Sequence, residues 1–63
     1  MRNNLRYARM NKGLTRSKLA ELIGISPQHY KKIECGDRLG SIKTWDALED
    51  ALGVHQRILR END

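Results

Sequence analysis

The sequence predicts an all-α fold, a compact domain of four or five short helices. Apolar residues recur at spacings of three and four, β-branched residues are sparse, and no stretch alternates apolar with polar. Helix boundaries are also written into the chain. Thr15, Ser26 and Ser41 stand where N-caps belong, and Gly13, Gly24, Gly36 and Gly53 stand where helices stop. At 63 residues the chain makes one domain. A domain of that size buries only about 60% of the surface its unfolded chain exposes. There is room for one core, and none for a substrate-sized cleft with a catalytic shell. Residues 60–63 are expected to fray.

The first helix runs from Arg2 or Asn4 to Asn11, with Asn3 as a candidate N-cap and Lys12-Gly13 as its end. Leu5 and Ala8 share its inner face with Arg9 beside them, while Tyr7 and Met10 make a second apolar patch on another side. The second helix starts at Thr15, although Lys18 stands where a full capping box would place Glu or Gln. Leu19, Ala20 and Ile23 form its inner stripe, with Leu22 at the edge. The third helix opens with Ser26 as N-cap and Pro27 at the first helical position, where a missing N–H costs nothing. Tyr30 and Ile33 point one way; Gln28, Lys31, Lys32 and Cys35 lie opposite. The fourth helix follows the loop 37–40 and runs from Ser41 to Gly53. Ile42, Trp45, Leu48 and Leu52 form its buried stripe, and Asp46, Glu49 and Asp50 an acidic outer rim. Val54 to Leu59 forms a short fifth helix or a turn, and the core is nearly complete without Ile58 and Leu59.

Charge narrows the choice of partner. The chain carries a net +4, and the charge is segregated: residues 1–32 hold eight Lys/Arg and one acid, residues 33–63 four Lys/Arg and seven acids. A basic N-terminal half favours an anion, most simply nucleic acid. Cys35 is the single cysteine, which excludes an internal disulfide and a cysteine metal cluster and fits a reducing compartment. No apolar run approaches the roughly 20 residues that span a membrane, and the N-terminus lacks a signal-peptide core. A cytoplasmic location is expected, with no cofactor and no metal. No nucleophile–base pair or phosphate loop is present, so the chain does not read as an enzyme.

Residues 15–36 decide the reading. Ala20 is small where two helices must cross, Gly24 permits φ > 0 in a sharp turn, and Ile25 can plug the space between the helices. Two helices joined in this way, the second with a polar outer face, make a helix-turn-helix, whose second helix fits the DNA major groove. Gln28 on that face can bond adenine N6 and N7 together. Lys32, one turn later, can reach guanine or a phosphate, and Lys31 beside it the backbone. His29 sits on the flank between the outer face and the core, within reach of the backbone or a phosphate, or else partly buried or solvated. Lys18, Arg38 and Lys43 are further candidates for the DNA backbone.

With those residues in register, the chain resembles the lambda-repressor-like, Cro-type (Xre) DNA-binding family. The matching stretches are Leu5…Arg9…Lys12-Gly13-Leu14-Thr15 and Leu19-Ala20-Glu21…Ile23-Gly24-Ile25-Ser26. They continue as Ile33-Glu34…Gly36…Arg38…Ser41-Ile42 and Leu48…Ala51-Leu52-Gly53-Val54. The resemblance implies that the third helix enters the major groove. It implies that Arg16, where the family usually carries Gln, touches phosphate, and that Arg9 and Glu34 pair across helices. Pro27 departs from the pattern: it replaces a base-reading polar residue and keeps at most a contact to a thymine methyl. Tyr7 and Met10 also depart, and are expected either to pack on 54–59 or to form a dimer surface.

The expected function is sequence-specific binding of double-stranded DNA by a small regulator, a repressor acting as a weak or DNA-assisted homodimer on an inverted repeat. The expected dimer surface is Val54, Ile58 and Leu59. The alternative is an antitoxin-type interaction module that uses the same fold to grip a protein partner.

Overall fold

A computed structural model describes residues 1–62. Five helices follow one another: α1 (Asn3–Asn11), α2 (Arg16–Ile23), α3 (Pro27–Cys35), α4 (Ile42–Leu52) and α5 (Gln56–Leu59). No strand occurs among the described residues. The caps act as their residue types dictate. Thr15 Oγ1 accepts from Lys18 N–H at 3.0 Å, Ser26 Oγ from His29 N–H at 3.1 Å, and Ser41 Oγ from Thr44 N–H at 3.1 Å. α1 is different: Asn3 lies inside the helix, and the capping position falls to Arg2, whose side chain makes no capping bond.

α2 packs on α3 and α4, and α5 bridges α1 and α4. The core is Leu5 and Ala8 from α1, Leu19 and Ala20 from α2, Tyr30 and Ile33 from α3, and Trp45, Leu48 and Leu52 from α4, closed by Leu59 from α5. Ile23 is only half-buried and packs at the edge of this cluster.

Two expectations about the core are corrected. Ile42 is 77% exposed, and Thr44 is buried instead. At about 100° per residue, Thr44, Trp45, Leu48 and Leu52 share one face, and Ile42 falls about 60° outside it, beyond Trp45. Thr44 tolerates burial because Ser41 Oγ lies 3.0 Å from its hydroxyl. Leu59, expected on a dimer surface, is fully buried, while Ile58 next to it is 43% exposed and Val54 is half-buried against the core. A four-residue helix is too short to show which of two adjacent apolar residues faces inward. Its orientation is set by α1 and α4.

The residue that most binds the two ends of the chain together is Arg2, buried although charged. Its guanidinium donates to the carbonyls of Ile33 at 2.5 Å, Arg38 at 2.8 Å and Arg60 at 3.1 Å. It also lies 5.3 Å from the centroid of the Trp45 ring. Two of these carbonyls belong to the C-terminal ends of α3 and α5, where the helix dipole favours a cation. Burial, and secondarily the charge of Arg60, lower the Arg2 pKa from its ordinary value, yet a guanidinium stays protonated. Residues 60–62 are therefore engaged rather than frayed: Arg60 accepts from Arg2, and Asn62 Nδ2 donates to Gly36 O. Asp63, the last residue expected to fray, lies outside the described residues.

The loop between α3 and α4 is held from the other side by Trp45, whose indole N–H donates to Leu39 O at 2.6 Å. Gly40 there has φ +83°, and a Cβ would meet Trp45 Nε1 at 3.0 Å. Both its conformation and its closeness to the indole require glycine.

Candidate nucleic-acid interface

The turn between α2 and α3 is three residues long. Gly24 takes φ +79°, and the chain closes with Gly24 N–H on Glu21 O at 3.3 Å and Ile25 N–H on Ala20 O at 3.0 Å. Ala20 is fully buried beneath the turn and Ile25 is half-buried against the core. This geometry fixes the start of α3 relative to α2.

α3 is anchored on one side only. Tyr30, Ile33 and Glu34 are buried, whereas Pro27, Gln28, His29, Lys31 and Lys32 are exposed. On the helical wheel, Gln28 and Lys32 lie nearly opposite the buried face, with Lys31 on one flank and His29 on the other. Cys35 is half-buried at the helix end. Lys18, Arg38 and Lys43 are exposed on α2, on the loop and at the start of α4. Lys18 lies 3.9 Å from Glu21 with both side chains well exposed, a pair of the kind that contributes little and can be given up.

Beneath the exposed face of α3 sits a buried carboxylate. Glu34 Oε1 accepts from Arg9 Nε at 2.8 Å and from Tyr30 Oη at 2.9 Å, and Oε2 accepts from Arg16 Nε at 2.6 Å. Arg9 also donates through Nη1 to Leu14 O at 2.7 Å. The three groups around one carboxylate join α1, α2 and α3. Burial alone would raise the Glu34 pKa, but hydrogen bonds from Arg9, Arg16 and Tyr30 outweigh it and hold the pKa below the ordinary carboxylate value. The Tyr30 phenol is pushed up, first by burial and then by the neighbouring negative charge it donates to. The Arg16 guanidinium is raised by its hydrogen bond to Glu34.

Arg16 therefore has a protein partner that its place in the sequence does not reveal. It was expected to face a phosphate; the structure has it bonded to Glu34 through Nε, with the side chain 39% exposed. Its remaining nitrogens have no protein acceptor among the described residues. Tyr30 was also foreseen only as a core ring, not as a donor. The four-residue spacing from Tyr30 to Glu34 was the available signal for that contact. For Arg2 there was no signal, because its three acceptors are backbone carbonyls from distant parts of the chain.

Tyr7 and Met10 lie outside the core cluster, each with about half of its surface exposed. Among the described residues, no helix is long and apolar enough to cross a membrane. A family model described as helix-turn-helix matches residues 5–56 of the chain. No curated protein and no solved structure matches it.

Proposed function

The chain belongs to the lambda-repressor-like, Xre-type helix-turn-helix family, a DNA-binding family whose model covers residues 5–56, and we propose that it is a sequence-specific transcriptional repressor reading the major groove with α3. The observation that supports this best is the one-sided burial of α3. Tyr30, Ile33 and Glu34 fix the helix from within, leaving Gln28 and Lys32 on the face directed away from the core. In this reading Gln28 pairs with an adenine edge, Lys32 with a guanine or a phosphate, and Pro27 packs on a thymine methyl. Lys31, His29, Lys18, Arg38, Lys43 and Arg16 lie along the backbone on either side, and such contacts set register without reading sequence.

The target is an inverted repeat bound by a homodimer, with half-sites about 34 Å apart. With Leu59 buried, Val54 and Ile58 are what remains of the proposed dimer surface, which fits a dimer that forms weakly or on DNA. An intracellular location follows from this function. The exposed Tyr7 and Met10 side chains favour one second reading, an interaction module that grips a protein partner through α1.

Fluorescence anisotropy titrations against random duplex DNA at several salt concentrations test the proposal. Binding should weaken steeply as salt rises, because phosphate contacts release counterions. A cognate site selected from a randomised duplex pool should lose its advantage over random DNA in Gln28→Ala and in Lys32→Ala, by roughly 1–3 kcal/mol where the contact is bidentate. Absent or salt-insensitive binding refutes the function. An untouched preference in Gln28→Ala refutes the assignment of the reading face.

A further inference from the structure

Arg9 and Arg16 share the Glu34 carboxylate, but they are not equivalent. Arg9 is 11% exposed and is fixed at both ends of its guanidinium, by Glu34 through Nε and by Leu14 O through Nη1. Arg16 is 39% exposed and is held through Nε alone. One carboxylate facing two guanidiniums leaves one positive charge in excess. The exposed end of that excess is the outer part of Arg16. A guanidinium is rigid and planar, with donors on separate edges, so a bond at Nε fixes where the remaining N–H groups point. A side chain already held has less rotamer freedom to lose when it meets a ligand.

We propose that Glu34 is a positioning residue for a DNA-backbone contact: it holds Arg16 through Nε and directs the terminal N–H groups of the guanidinium to a phosphate oxygen. This rests on the DNA-binding reading above and adds a role for a residue that never meets DNA. The carboxylate also carries a charge that repels phosphate. With Arg9 beside it that charge is already matched, and Arg16 acts on the DNA as a net cation. Lysine could not replace arginine here. Its charge sits on one compact ammonium, which would be held at Glu34, with no second edge of donors directed at a phosphate.

The test is the salt dependence of binding to random duplex DNA, measured on the whole chain. Each phosphate neutralised contributes about −0.9 to the slope of log K against log salt. Arg16→Ala should make the slope shallower by about 0.9, and Arg16→Lys should do the same although its formal charge is unchanged. Adding Glu34→Gln to Arg16→Lys should return the slope toward the wild-type value by releasing the lysine. Circular dichroism melts establish that each variant is folded at the titration temperature. If the double variant does not fold, Arg16→Lys alone decides. An Arg16→Lys slope equal to wild type overturns the role of Glu34 and leaves the DNA reading intact. An unchanged slope in Arg16→Ala, or a folded double variant that stays shallow, does the same. Wild-type binding without salt dependence removes the DNA reading and this inference together.

Discussion

Leu59 and Ile58 are neighbours in a four-residue helix, yet the structure assigns them opposite fates, and that contrast is measurable. Leu59 is fully buried between α1 and α4, whereas Ile58 is 43% exposed. Truncating a buried leucine to alanine costs about 2–5 kcal/mol, the spread depending on how far the site collapses. A chain of this length has a total stability of only about 3–9 kcal/mol at typical values per residue. A loss near 3 kcal/mol, at about 4–8 °C per kcal/mol for a small domain, lowers the melting temperature of Leu59→Ala by roughly 12–24 °C. Ile58→Ala keeps its backbone in place and loses contact on one side only, so its cost stays under about 1 kcal/mol. The assay is a thermal melt followed both by circular dichroism and by the fluorescence of Trp45, the single tryptophan, which is buried in the same core. Coincident transitions shifted far down in Leu59→Ala and little in Ile58→Ala support α5 as part of the cooperative unit. If both variants melt within a few degrees of wild type, α5 is an appendage and Leu59 is not core.

Two further outcomes concern the buried polar groups. The folded-state pKa of Glu34 is lowered, so its stabilisation is present above the unfolded carboxyl value of about 4.3 and is lost as pH falls through the folded value. The Tyr30 pKa is raised, so the neutral phenol stabilises fully below the unfolded value of about 10, and that contribution declines as pH rises beyond it. Urea midpoints should therefore fall on both sides of neutrality, and Tyr30→Phe should lose part of the alkaline decline at a cost of about 1.5–3 kcal/mol near pH 7. An alkaline limb identical to wild type would show that Tyr30 is not its source. Arg2→Ala takes the guanidinium away from three carbonyls, of which Ile33 O keeps the Gly36 N–H at 3.1 Å, and removes the cation beside Trp45. It should cost on the order of 3 kcal/mol in urea denaturation and alter Trp45 emission, and a cost within 0.5 kcal/mol, roughly that of an ordinary surface substitution, would deny Arg2 its structural role.

What the sequence made legible follows from how local the signals are. Caps and stops depend on one side chain and the three or four residues after it, so α2, α3 and α4 begin and end where Thr15, Ser26, Ser41, Gly24, Gly36 and Gly53 place them. The outward face of α3 was legible for the same reason, since a nine-residue helix with two anchors has a definite wheel. Ile42 is apolar yet exposed, because at the first turn of a helix a residue can fall outside the packed face. Leu59 misled because α5 offers a single turn and no periodicity. Arg2 and Arg16 were beyond reach for a different reason. Their partners are Ile33, Arg38, Arg60 and Glu34, between 18 and 58 residues away, and two arginines in a basic sequence look alike until the fold says which carbonyls and which carboxylate they meet.

A domain this small has few buried positions, and placing a carboxylate in one of them needs a reason. Stability alone is a poor one, because a well-packed apolar replacement for a buried ion pair is often as stable or more so. The Glu34 cluster does something an apolar patch cannot. Hydrogen bonds have direction, and three donors converging on one carboxylate fix α1, α2 and α3 in rotation as well as in distance. Tyr30 and Glu34 lie on the buried side of the helix that presents Gln28 and Lys32. Arg9 ties that helix to α1, and Arg16 ties it to the start of α2. The same carboxylate thus sets the orientation of the proposed reading face and the position of a proposed backbone contact beside it. If register on DNA depends on backbone contacts and sequence on base contacts, then Glu34 is where the two are referred to a single point in the fold. On that proposal Arg16 carries two sets of donors, one bonded to Glu34 and one left for the DNA.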